Sequence, residues 1–126
     1  MRIGKVSRAA IKNKFGGKCA YCGCELGDKF HVDHVKAIWR SSCYAEGCHK
    51  PENHSEDNMF PACAPCNLFK GVFDVDGLRQ EIELQVERAR RYSVNFRVAE
   101  RFGLIQEIKK PVLFWFEVFS PITTGD

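Results

Sequence analysis

Cys19-Ala20-Tyr21-Cys22 and Cys63-Ala64-Pro65-Cys66 bracket the segment that decides how this chain folds. Each Cys-x-x-Cys unit can present two thiolates to one ion, and two such units make a closed tetrahedral set with no position left for water. Zn²⁺ is therefore expected to staple the chain through Cys19, Cys22, Cys63 and Cys66. The residues between the pairs become a loop whose ends are pinned together. Inside that loop stand Asp33-His34 and Asn58, and Asn67 follows it directly.

Working outward, 126 residues with 44% hydrophobic and 12% aromatic content suit a single domain, 1–126, with a small core. A structural ion then matters to folding, because binding to the folded state alone adds directly to its stability. A net charge of +3 permits a nucleic-acid partner without requiring one. Seven cysteines are an odd number, no apolar leader opens the chain, and the spacing is that of metal ligands. A reducing cytoplasm is expected, and no disulfide scaffold. No run of eighteen apolar residues is present, which excludes a membrane-spanning helix.

The local pattern predicts an α+β chain. A helix is expected over 7–15, with Ser7 as N-cap, Ile11 and Phe15 on one face and Gly16-Gly17 as the stop. Its Lys12, Lys14 and Lys18 are read either as a solvated face or as phosphate contacts. Phe30 to Val35 alternates as a strand, Phe30 and Val32 on one side, His31 and Asp33 on the other. Lys36 to Asp57 reads as a long loop. A helix starts at the second cysteine pair and ends near Gly71. A long helix then follows Asp74, with Leu78, Ile82, Val86 and Ala89 in line, and a shorter one runs from Asn95 to Phe102. Val112 to Phe119 is too aromatic for a surface helix and is expected as a terminal strand, with a loose tail from Ser120.

Taken in order, Cys-x-x-Cys, Val32-Asp33-His34-Val35 and Asn58-Met59-Phe60-Pro61-x-Cys63-x-x-Cys66-Asn67-x-x-Lys70-Gly71 closely resemble the HNH nucleases. These are the zinc-stapled branch of the ββα-metal endonucleases, here of the small type common in phages and mobile elements. The resemblance covers a core of about 15–71; residues 72–119 form a C-terminal extension without a motif. It implies a treble-clef-like ββα-metal core around the four-cysteine zinc site, His34 as general base, and Asn58 as the residue that orients it. It also implies Asp33 and Asn67 as ligands of a catalytic Mg²⁺ or Mn²⁺. Asn67 stands where the family more often has histidine, which makes this an H-N-N variant with oxygen donors suited to hard ions.

Phosphodiester hydrolysis explains the residue types. Neutral imidazole, with an unperturbed pKa of about 6.5, can take a proton from water near neutral pH, and a divalent ion neutralises charge at the phosphate and leaving oxygen. The resemblance implies 5′-phosphate and 3′-hydroxyl products and DNA as partner. An RNA substrate, and a zinc-stapled module that binds DNA or protein without catalysis, are the competing readings. Lys70 and Arg40 are candidate phosphate contacts, Trp39 either stacks on bases or packs over the loop, and His31 is a candidate partner of the site. Cys43, Cys48, His49 and His54 are candidate ligands of a second zinc, at irregular spacing.

Overall fold

The helix α1 runs Lys5–Lys12 and tightens into a 3₁₀ turn over Asn13–Phe15. It begins ahead of Ser7, so that serine lies inside the helix and does not cap it; no breaker separates residues 5 to 12, and Arg8, Ala9 and Ala10 favour helix. Gly16 and Gly17 stop it as expected, at φ of 74° and 78°. Their N–H groups return to the Asn13 and Lys12 carbonyls at 3.3 and 3.2 Å, which satisfies acceptors the helix end would leave open. Ile11 is fully buried on the inner face.

The chain is described here by a computed structural model at residues 5–36 and 56–121. The expectations for Trp39, Arg40, Cys43, Cys48, His49 and His54 fall outside those residues. Two compact units are present: Met1–Asp74 with Leu113–Asp126, and Val75–Val112. The described secondary structure is α+β, with six α-helices and one two-stranded sheet.

In the first unit, strands β1 (His31–His34) and β2 (Met59–Ala62) pair antiparallel, with Asp33 opposite Phe60 and His34 opposite Met59. Burial along β1 does not follow polarity. Asp33 is the buried residue at 5% exposure, whereas His31 is exposed and Val32 only half-buried. A carboxylate can take the inner position because it finds charged and hydroxyl partners there. After β2 comes α2 (Ala64–Lys70), entered from extended Cys63 with Pro65 in the first turn, where its missing N–H leaves no bond unmade.

The aromatic segment near the C-terminus differs from the expected strand. It is a short helix, α6 (Trp115–Val118), flanked by extended residues. Its first-turn donors are all used: Trp115 and Phe116 N–H reach the Tyr21 and Ala20 carbonyls at 3.0 and 2.8 Å, and Phe114 N–H reaches the Glu117 carboxylate at 2.9 Å. The turn that carries Cys19 and Cys22 therefore supplies the acceptors a helix N-terminus needs, and Glu117 completes them. Only one side is covered, since Phe114 is buried while Leu113 and Val118 are exposed. Phe60 lies 4.9 Å from Phe15 and 5.0 Å from Phe116, and Tyr21 stands edge-on to Phe114 at 5.5 Å between ring centroids. These rings form the core that joins α1, the Cys19–Cys22 turn, β2 and α6.

In the second unit the expected long helix is divided into α3 (Val75–Glu83) and α4 (Gln85–Tyr92). The Gln85 side-chain amide takes the Glu81 carbonyl at 2.8 Å, and the Leu84 N–H also turns to it at 3.3 Å, so the regular helical ladder is interrupted there. The helix α5 (Val94–Arg101) starts at Ser93, whose hydroxyl accepts from the Phe96 N–H at 3.1 Å, and closes before Gly103. Leu78 is buried, and Arg90 clamps Glu100 and Glu107, each at 2.8 Å. Among the described residues no helix is long and apolar enough to cross a membrane.

Candidate metal centre and the buried charge beside it

The two Cys-x-x-Cys turns converge. The sulfurs of Cys19, Cys22, Cys63 and Cys66 all lie within 4.8 Å of one another, and Cys22 and Cys63 are 3.8 Å apart. A tetrahedral ion with Zn–S bonds of about 2.3 Å requires sulfur–sulfur edges of about 3.8 Å. The cluster therefore suits zinc in donor type, and its Cys22–Cys63 edge matches the expected size. Backbone geometry forms the first turn: Gly23, at φ of 79°, donates to the Cys19 carbonyl at 3.0 Å, and Cys19 donates to the Cys24 carbonyl at 2.8 Å. The second pair sits at the start of α2, with Asn67 N–H on the Cys63 carbonyl at 2.9 Å.

A hydrogen bond from Cys66, together with backbone donors, lowers Cys19 to about 4 against the opposing effect of burial, while the same bond pushes Cys66 up. Burial raises Cys63. A divalent ion reverses this order, because coordination deprotonates every ligating thiol. Cys24 is exposed beside the cluster, and desolvation first, with hydrogen bonds to the Cys22 and Cys63 thiols second, pushes it up to about 12.

Beside the cluster lies a buried ion pair. Lys70 Nζ is 3.2 Å from Asp33 Oδ2, 3.3 Å from Asp33 Oδ1 and 3.1 Å from the His34 carbonyl oxygen. The Tyr21 hydroxyl donates a short hydrogen bond to Asp33 Oδ2. Burial raises the Asp33 pKa, with Tyr21 and Lys70 opposing it; burial and the Asp33 charge together raise Tyr21. Lys70 has no exposed surface, so the expectation that it contacts phosphate is corrected: its ammonium faces inward. Tyr21 is a participant that sequence reading missed, because a spacer residue between two ligands carries no signal of its own.

Asn58 precedes β2 and is bonded to the chain just beyond His34. Its amide oxygen accepts from Lys36 N–H at 2.9 Å, its amide nitrogen donates to the Lys36 carbonyl at 2.8 Å, and its own carbonyl accepts from Val35 N–H at 2.9 Å. His34 ends β1 and is half-buried, and Asn67 lies half-buried on α2, the helix that also carries Cys66 and Lys70. Lys14 sends its ammonium to the carbonyls of Glu56 and Met59, the latter at 2.8 Å. Burial lowers its pKa against the pull of Asp57 and Glu56. Lys14 thereby ties α1 to the start of β2. Lys18 lies over the Trp115 ring at 5.0 Å.

No protein-family model matches this chain, and no curated protein or solved structure matches it.

Proposed function

We propose that this chain is an HNH-type endonuclease that hydrolyses DNA phosphodiester bonds, with His34 as general base. The observation that carries the reading is the way His34 is held. It closes β1 of a strand–strand–helix arrangement stapled at the four-cysteine cluster, and the two residues after it are fastened to Asn58. Asn58 lies at the family's central position and acts on the backbone, so it orients His34 by fixing the strand exit. An imidazole so placed can take the proton of an attacking water if the base keeps its position through the reaction. The zinc is structural in this reading, since four thiolates leave no open site.

A catalytic Mg²⁺ or Mn²⁺ would neutralise charge at the phosphate and the leaving oxygen. Asn67 offers an amide oxygen on α2 for such an ion. Asp33 does not fit the part expected of it, because both of its oxygens are bonded to Lys70 or Tyr21 in the interior.

Plasmid relaxation and linearisation by the zinc-loaded chain tests the proposal, with Mg²⁺, Mn²⁺ and EDTA titrations and His34→Ala as control. Metal-dependent cleavage that is lost in His34→Ala supports it. Cleavage of RNA alone would move the substrate, and binding without cleavage of any nucleic acid would favour the zinc-stapled binding module.

A further inference from the structure

We propose that Tyr21, Asp33 and Lys70 form a buried brace that positions His34, and that Asp33 serves as the counter-ion of Lys70 and not as a ligand of the divalent ion. An ammonium has three N–H donors. Lys70 directs its nitrogen to three acceptors, the two Asp33 oxygens at 3.3 and 3.2 Å and the His34 carbonyl at 3.1 Å. With these acceptors around it and no exposed surface, the ammonium is turned to the interior and away from a phosphate in solvent. Asp33 is equally committed, since Oδ2 also accepts the Tyr21 hydroxyl. Among the described residues no buried side-chain nitrogen or oxygen lacks a partner, so this charge pair is satisfied as it stands.

The competing role makes different demands. Mg²⁺ keeps several waters and binds carboxylates from a wet site. Asp33 is 5% exposed, and freeing it would strand the Lys70 ammonium in the interior. The brace also explains why the zinc turn, the strand and the helix meet here. Tyr21 sits between two zinc ligands, Asp33 precedes His34, and Lys70 follows Cys66 by about one helical turn. Lys70, held by Asp33, binds the His34 carbonyl, and Asn58 binds the next two residues. Lys70 is thus a positioning residue, and its effect on cleavage rests on His34 being the base.

The test compares zinc-loaded full-length Lys70→Met, Asp33→Asn and the double variant with the original chain. Melting, Mn²⁺ affinity, the His34 imidazole NMR signals and cleavage kinetics are the readouts. The expected result is that each single change lowers melting by on the order of 10 °C and the double change restores at least half of that, because the pair is removed and no lone charge remains buried. Mn²⁺ affinity should stay within about twofold throughout, since Asp33 is not its ligand. Lys70→Met should broaden or shift the His34 signals and lower kcat at nearly constant KM, a loss that added Mn²⁺ does not reverse. A tenfold or greater loss of Mn²⁺ affinity in Asp33→Asn with unchanged melting would overturn the proposal, as would a double variant that melts no higher than the single ones or fails to fold. Absence of cleavage by the original chain would overturn the nuclease reading alone; melting, Mn²⁺ affinity and the His34 signals would still judge the brace.

Discussion

The indole nitrogen of Trp115 donates to the Phe15 carbonyl at 2.9 Å, joining two residues a hundred positions apart within one unit. That bond closes the end of α1 against α6, and the neighbouring rings of Phe60, Phe116 and Phe119 pack around it. The C-terminal aromatic segment therefore forms a wall against the end of α1 and the turn that carries Cys19 and Cys22, although it follows that turn at a long distance in sequence.

Removing a ring from that wall should destabilise the first unit. Phe116→Ala is expected to lose about 3 kcal/mol, near the lower end for a buried phenylalanine because Phe116 is only half-buried. Val118→Ala, at an exposed position of the same helix, should stay within about 0.5 kcal/mol. Urea unfolding of the zinc-loaded chain measures both.

The four-sulfur cluster predicts different outcomes for neighbouring cysteines. Cys66→Ser should lose the bound zinc and most of the cooperative melting, whereas Cys24→Ser should keep one zinc per chain and melt within a few degrees of the original. Metal analysis together with calorimetry decides this. Full zinc retention in Cys66→Ser would reject the four-cysteine staple.

If His34 is the base, His34→Ala should cut the cleavage rate on the order of a hundredfold while DNA binding persists. Asn67→His should retain activity and move metal preference toward softer ions such as Ni²⁺ or Co²⁺. Rates measured across a series of divalent ions separate the two, because raising the metal concentration compensates weak coordination and cannot replace a missing base.

The second unit should be sensitive to acid. Glu100 is held below its usual range chiefly by the hydrogen bond from Arg90, and the folded pKa is thus lower than the unfolded one. Its contribution is present above the ordinary value of about 4.5 and is lost as pH falls through the lowered folded value. Amide NMR signals of α5 should broaden over that window. Glu100→Gln should remove much of the pH dependence, and about 1 M salt should weaken it by screening a partly exposed pair.

Much of the metal centre was legible because ligand spacing is a local property. A Cys-x-x-Cys turn needs only a few residues and one glycine to aim two sulfurs, so the convergence of the four cysteines followed from the text of the chain. The same holds for the helix stop at Gly16-Gly17 and the helix that carries Cys66 and Asn67. The aromatic run at 112–119 was misread because its composition suits a strand, while the acceptors that make it helical belong to Ala20 and Tyr21. The single long helix after Asp74 failed for a smaller reason, a side-chain amide competing for one backbone carbonyl.

The sequence by itself determined that two pairs of cysteines at metal-ligand spacing would be drawn to one place, and it named His34, Asn58 and Asn67 as the residues to watch near them. Only the tertiary structure decided where the charges of Asp33 and Lys70 go. In sequence both look like polar groups available to metal and phosphate. In the fold they meet at 3.2 Å with almost no exposed surface, because a buried charge must find its partner inside the protein, and which partner lies within reach depends on how the strand, the helix and the zinc turn are packed.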